Sequence, residues 1–470
     1  MLEHANRMER LMTSSALTRA PTPDLPDFPR GALDHIPGSD GWPLVGGTLR
    51  LLADPKGAVE RSAAQHGPVY RSFSFGRSMI SLLGPDANQF VLSDPDKVFS
   101  SRMGWNPVLE LLFPRGLMLL DFDEHRLHRK AMSAAFKTGP MRSYLNAFDQ
   151  GIGRCVAGWL AGAPHLRVYP AIKRLSLDLA AVSFLGDSAG PQLEAVQRAM
   201  MDMIAASVSF VRKPLPGTRM RRGVNGRKFM IDYLGRQIEA RRASGGEDIF
   251  THLCQAVTDD GALMTPEEIV DHTSFLLLAG HDTLASSLTS LVYFLVDQPA
   301  WQHQLRDEVL ALGLARGEPL PFDRLDEMPL TEMAFKEALR LMPPIPSIPR
   351  RAVRDTEFGG FRLPAGTNVN VNPLYTHRMA DVWPDPEVFN PLRFTAAASR
   401  ERHRYAFVPF GGGAHMCIGL QFAYMQAKCF IHQLLSRADL GIEPGHRPEW
   451  QYWPIPRPRD GLPIRISARP

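Results

Sequence analysis

Cys417 is the residue whose surroundings point most directly to chemistry. It stands in the run Phe410-Gly411-Gly412-Gly413-Ala414-His415-Met416-Cys417-Ile418-Gly419. Three consecutive glycines permit a tight turn whose backbone can approach a flat ligand. A helical run opens at Leu420. The N-terminal end of a helix favours negative charge, so a thiolate just before it is stabilised. By itself the loop also suits a buried structural cysteine beside a turn. Cys155, Cys254 and Cys429 have no comparable setting and are read as core.

A second group of polar residues interrupts an apolar helix. Thr265-Pro266-Glu267-Glu268 has the form of a capping box with proline at the first helical position, and apolar residues continue to about Val296. A helix of about 32 residues spans about 48 Å at 1.5 Å per residue, enough to cross the molecule. Its middle holds Ala279-Gly280-His281-Asp282-Thr283. Two further pairs share helix faces. Glu337 and Arg340 are three apart, ahead of Pro343-Pro344. His125 and Arg129 are four apart in His125-Arg126-Leu127-His128-Arg129. Outside a larger pattern, either pair would be an ordinary solvated one.

The elements that must position these residues follow from periodicity. Residues 1–35 carry Pro21, Pro23, Pro26 and Pro29 and suit an extended tail or strap. Residues 69–75 and 78–82, around Gly76-Arg77, read as a β-hairpin. Helical periodicity dominates from about 86 to 340, with Gly/Pro breaks near 139, 163, 189 and 215. A second β patch covers 358–363 and 367–371, a helix covers about 418–437, and a proline-rich close follows. No internal repeat is visible. The class is mainly α with minor β.

Composition bounds the function. With 53 Lys and Arg against 49 Asp and Glu, the net charge is +4. No basic run is long enough for a nucleic-acid arm. Four cysteines in 470 residues exclude a disulfide scaffold and fit a reducing compartment. The N-terminal region has no basic-then-apolar order. The nearest approach to a membrane span, 275–296, is broken by His281 and Asp282. The expectation is a soluble, cytoplasmic monomer without membrane contact, although Arg212, Lys213, Arg219, Arg221 and Arg222 form a basic stretch.

The pattern Phe-x-x-Gly-x-x-x-Cys-x-Gly resembles the haem-binding signature of the cytochrome P-450 family, of the soluble bacterial type. The resemblance covers about residues 36–465 and rests on five ordered matches: the hairpin, His-x-x-x-Arg, the long helix, Glu-x-x-Arg and the Cys417 loop. It implies a triangular prism, with haem between the long helix and the cysteine loop with its following helix. A tail (1–35) would precede one catalytic domain (36–470). That domain would be β-rich at about 36–85 and 345–395, and helical at about 86–342 and 396–440. Cys417 would be the axial ligand of haem b iron, with Phe410, Gly411 and Gly419 around the sulfur and Ala279 against the haem. His415, His125, Arg129 and Arg350 would meet the propionates, the register of Arg350 against Arg351 being open. Glu337, Arg340 and Arg393, the last in Phe389-Asn390-Pro391-Leu392-Arg393-Phe394, would brace the loop. Gly280 would let the helix open for dioxygen, Thr283 would hydrogen-bond oxygen or a water, and Asp282 would relay protons. His281 is given no chemistry.

By family position the substrate pocket draws on Trp105, Val108, Leu109, Phe210, Leu276, Ala279, Ile345 and Ile348, with Met103, Leu112 and Ile204 nearby. These imply a hydrophobic substrate of steroid, terpenoid or fatty-acid class, the first two favoured. The run 215–218 is similar to the sterol-demethylase and retinoid-hydroxylase side of the family. No flavin or iron–sulfur motif is visible. Electrons would therefore come from NAD(P)H through a reductase and a separate ferredoxin or flavodoxin, docked on Arg126, Lys130, Lys137 and Arg142. Two other classes stay open: a peroxygenase or isomerase using the same haem-thiolate, and a non-catalytic haem-based small-molecule binder.

Overall fold

A computed structural model describes residues 23, 25–43, 45–186, 192–257 and 261–469. Most of the expected tail and the break near 189 lie outside these residues. The described part of the tail crosses the β structure: Leu33 and Ile36 are buried, and Arg351 donates to the Asp27 carboxylate at 2.8 Å.

The hairpin forms as its alternation demands. Val69–Ser74 pairs antiparallel with Arg77–Leu82, turning through Phe75 and Gly76 at positive φ. Only part of the second β patch joins the hairpin's sheet, since Thr356–Phe358 and Phe361–Leu363 pair in a small sheet of their own. Asn368–Val371 runs parallel to Arg77–Leu82, with Ile80 opposite Val369 and Leu82 opposite Val371, and antiparallel to Ile348–Ala352. Short strands at Gly38–Ser39 and Phe99–Ser100 complete six. Successive side chains of a strand point to opposite faces. Ile80, Leu82, Val369 and Val371 therefore enter a core with Val91 and Phe99. The other face is free to line a cavity. Helices Thr48–Ala53 and Pro55–His66 fall within the stretch expected to be β-rich. Strand His165–Arg167 falls within the helical stretch because Pro463–Ala468, from the chain's end, pairs with it.

The long helix is Pro266–Asp297, opened by the expected capping box: Thr265 Oγ1 accepts from the Glu268 N–H, and Glu268 accepts from the Thr265 N–H at 2.9 Å. It packs against Val168–Leu185 and Pro329–Leu341 within the larger core, which also holds Phe148, Phe250 and Phe430. By length and composition it is apolar enough to cross a membrane, but 72% of its most apolar window is buried inside the protein. The class is mainly helical with small β-sheets, as expected.

Candidate active site

Loop 410–419 is shaped by its glycines. Gly413 has φ +60°, and a Cβ there would stand 1.9 Å from the Leu92 carbonyl oxygen, so no other residue fits. The Cys417 N–H donates to the Phe410 carbonyl at 2.9 Å and closes the loop. Gly419 then caps Leu420–Leu435, with its backbone N–H beside the Cys417 sulfur. Cys417 is accessible, yet its sulfur lies deep in the protein, because the surface it exposes is cavity wall. Burial pushes its thiol pKa up, more than Gly419 and Arg129 pull it down. A sulfur so placed becomes a thiolate against a cation on the cavity side.

The cavity has a volume of about 1940 Å³. It gathers Phe410, Gly411, His415, Cys417, Gly419, His125, Arg129 and Arg350 on one side, and Ala279, Gly280, Asp282 and Thr283 from the long helix on the other. The rings of His125 and His415 stack at 3.8 Å. Both are held neutral: burial, then neighbouring cations, push His125 down to about 4 and His415 well below its usual range. The Nε2 atom of His125 is buried without a hydrogen-bond partner. Two guanidinium groups and two imidazoles facing a cavity form a receptor for carboxylates. The structure decides the register left open by the sequence: Arg350 lines the cavity, while Arg351 donates to the Gly366 carbonyl at 3.0 Å. This donor set, a thiol at a helix start opposite an apolar helix and flanked by cations, fits an iron porphyrin with its two propionates.

The long helix does not open at Gly280. It runs unbroken, and the Thr283 hydroxyl donates to the Ala279 carbonyl at 2.6 Å. A helical threonine satisfies the preceding turn in this way. Gly280 stands close to Phe184, whose ring a Cβ there would meet at 3.3 Å. Asp282 pairs with Lys173 at 3.0 Å.

Trp105, Val108, Leu109, Leu276, Ile345, Ile348 and Ile204 line the same cavity. Phe210 reaches only its rim and is 74% exposed, because the helix Leu193–Ser207 ends before it. Met103 and Leu112 are core residues. Met103 lies off the wall face of Ser101–Leu109, and Leu112 packs over Gly223.

Glu337, Arg340 and Arg393 lie behind the wall. Arg340 grips Glu337 through two hydrogen bonds of 2.7 and 2.8 Å, and both are fully buried. Arg393 stands 3.3 Å from the same carboxylate. The remaining Arg340 hydrogens go to the carbonyls of His377, Pro386 and Val388. On the expected docking face, Arg142 is taken up by a two-point pair with Asp323 at 2.7 and 2.8 Å, so it offers a partner little free charge.

A family model described as Cytochrome P450 matches residues 36–454. The chain belongs to the cytochrome P450 family. This P450 is 37% identical over 459 residues to cytochrome P450 136 of Mycobacterium tuberculosis, covering 96% of this chain and 92% of that relative. It is 27% identical to taxane 10-beta-hydroxylase of Taxus cuspidata, covering 94% of this chain and 91% of that one. The solved structure of retinoic-acid-bound cyanobacterial CYP120A1 superposes with a TM-score of 0.83 at 31% identity, over 92% of this chain and 99% of the other. Family membership makes this P450 a haem-thiolate monooxygenase.

Sequence reasoning missed Lys173 and His281. His281 is buried, 2.8 Å from the Ser176 hydroxyl and 3.5 Å from Asp282. The available signal was a lysine on the helix Val168–Leu185, whose only other charged residues are Arg174 and Asp178. Burial pushes His281 down to about 4. The unfolded chain therefore takes up the proton first as pH falls. The stability His281 contributes is complete above the ordinary value of 6.5 and declines by about 1.4 kcal/mol per pH unit down to about 4. Urea midpoints measured across this range should fall less steeply for His281→Asn than for the parent. Equal slopes would mean that His281 is not held neutral.

Proposed function

We propose that this P450 inserts one oxygen atom of O2 into a C–H bond of a terpenoid- or steroid-sized substrate, with haem b bound by Cys417. The observation that carries the reading is a single cavity bounded by the Cys417 loop, by the cations of Arg129 and Arg350, and by the polar segment of the long helix. Its size and its apolar helix wall suit a bulky hydrocarbon. Retinoic acid and taxanes, in the names of two similar proteins, are isoprenoids, which supports the terpenoid class.

Haem supplies O2 activation and hydrogen abstraction when bound. The chain supplies the rest. Cys417 donates sulfur, and Gly419 N–H tunes its electron density. His125, Arg129, Arg350 and His415 hold carboxylates. Leu276, Ala279, Ile345 and Ile348 place the substrate and exclude water. The Asp282 carboxylate is poised to pass protons when Lys173 releases it, and the Thr283 hydroxyl is poised to receive them when it leaves the Ala279 carbonyl. Electrons come from NAD(P)H through a reductase and a ferredoxin or flavodoxin in the cytoplasm, with exposed Arg126, Lys130 and Lys137 as the basic docking face.

Turnover with NAD(P)H, a ferredoxin and its reductase, and none with peroxide alone, is the expected result. The reverse outcome would establish a peroxygenase. Ala279 lies against the reacting space, so Ala279→Phe should weaken the substrate-induced spin shift more than tenfold while leaving the carbon-monoxide spectrum intact. Undiminished substrate affinity would place the substrate elsewhere.

A further inference from the structure

The walls of the cavity are charged very unevenly. Across the chain, basic and acidic residues nearly balance, 53 against 49. Among the described residues, the cavity is lined by nine Arg or Lys side chains and a single carboxylate, Asp282, which Lys173 already holds. Arg129 and Arg350 belong to the Cys417 end. Arg50, Arg77 and Arg219 line the cavity while exposed to solvent, so they stand at its mouth. None of these three has a carboxylate within ion-pair distance among the described residues. Arg61 and Arg212, also on this wall, are by contrast committed to Asp54 and to backbone carbonyls.

The polarity of the interior is segregated in the same sense. One face of the six-stranded sheet enters the cavity, and strand alternation puts Ser72, Ser74, Ser81, Asn368 and Asn370 on it. Register orders this row. Ser74 lies opposite Arg77 at the hairpin end, Ser72 opposite Met79, and Ser81 opposite Asn370. Asn370 accepts from Ser81 at 3.0 Å and donates to Ser347 at 2.8 Å, beside Ile345 and Ile348. Polar groups therefore run from the cationic mouth inward along the sheet, while the opposing wall of Leu276, Ala279 and Phe275 is hydrocarbon.

We infer that the substrate is an amphipathic carboxylic acid, held with its carboxylate toward Arg50 and Arg77 at the mouth and its hydrocarbon end beneath Ala279 and Thr283, and oxidised at that distal end. A cleft of one charge sign with apolar walls focuses its field and concentrates an anion. A terminal carboxylate meets unpaired guanidinium groups only at the mouth, because the inner cations serve the propionates. The inference rests on the monooxygenase reading and fixes its substrate class and regiochemistry.

The test uses the haem-loaded enzyme, first shown to give the red-shifted carbon-monoxide band. Absence of that band would defeat the monooxygenase reading rather than this inference. Spin-shift titrations then compare a C16–C20 isoprenoid or fatty acid with its methyl ester at low and high salt. The acid should bind at least fivefold tighter than the ester at low salt, and the ratio should shrink with salt. In the Arg50→Gln/Arg77→Gln double variant the ratio should approach one, and the product of the parent enzyme should carry its hydroxyl remote from the carboxyl. Equal affinity for acid and ester, or an acid preference that survives the double variant, would overturn the assignment. So would flotation with anionic phosphatidylserine vesicles in the absence of any acid preference, since the arginines would then serve a lipid surface.

Discussion

Cys417→Ser should abolish the red-shifted carbon-monoxide band of the reduced protein, and monooxygenase turnover should fall to background. Cys417 is the one thiol on the cavity wall among the described residues. Cys254 and Cys429 are buried in the core, and Cys155 stands on the helix Thr138–Ala161. Serine keeps the size of the side chain and the Phe410 turn but removes the soft, electron-rich sulfur that sets the chemistry of a thiolate-bound haem. Haem uptake can persist in the variant, because the carboxylate receptor of His125, Arg129, Arg350 and His415 is untouched. The decisive comparison is the spectrum at equal haem content. A red-shifted band in Cys417→Ser would put the ligand elsewhere and leave the haem-binder reading in its place.

The second large effect concerns the charged knot behind the loop. Glu337 accepts two hydrogen bonds from Arg340 and one from the Asn390 N–H at 2.9 Å, all without solvent. Removing one partner of a buried pair leaves a bare charge and costs about 3–5 kcal/mol. That is a fifth or more of a typical stability of about 5–15 kcal/mol. Glu337→Ala and Arg340→Ala should each be recovered with little haem and with lowered urea midpoints. Arg340→Lys is the sharper test. Lysine keeps the charge but cannot hold Glu337 with two parallel bonds while also reaching the carbonyls of His377, Pro386 and Val388. It should lose most of the same stability. An Arg340→Lys protein within about 1 kcal/mol of the parent would show that charge alone matters there.

The Arg340 fork also explains how the knot reaches the loop. His377, whose carbonyl accepts from Arg340, is neutral and pushed down to about 3 by burial. Its Nδ1 faces the Arg340 carbonyl, and its Nε2 accepts the Val408 N–H at 2.9 Å, two residues before Phe410. A chain of polar contacts thus runs from Glu337 to the start of the cysteine loop.

What the sequence alone determined about this P450 is what short-range spacing encodes. The capping box of the long helix, the hairpin around Gly76, the Glu337–Arg340 pair one helical turn apart and the glycine turn before Cys417 each involve residues within ten of one another. Their geometry follows from local backbone rules, so their pattern is readable as written. Tertiary structure decided what depends on residues hundreds of positions apart. Residues 77–82 and 368–371 became neighbours in one sheet, and the packing around it left Arg350 on the cavity wall and Arg351 bonded to Asp27. Lys173 met Asp282 only because Val168–Leu185 packs along the long helix, and Thr283 chose the Ala279 carbonyl within an unbroken turn. The cationic mouth and the polar sheet wall emerged from the same long-range assembly. A cavity has no local period, and which side chains face it is settled by the packing of every element around it.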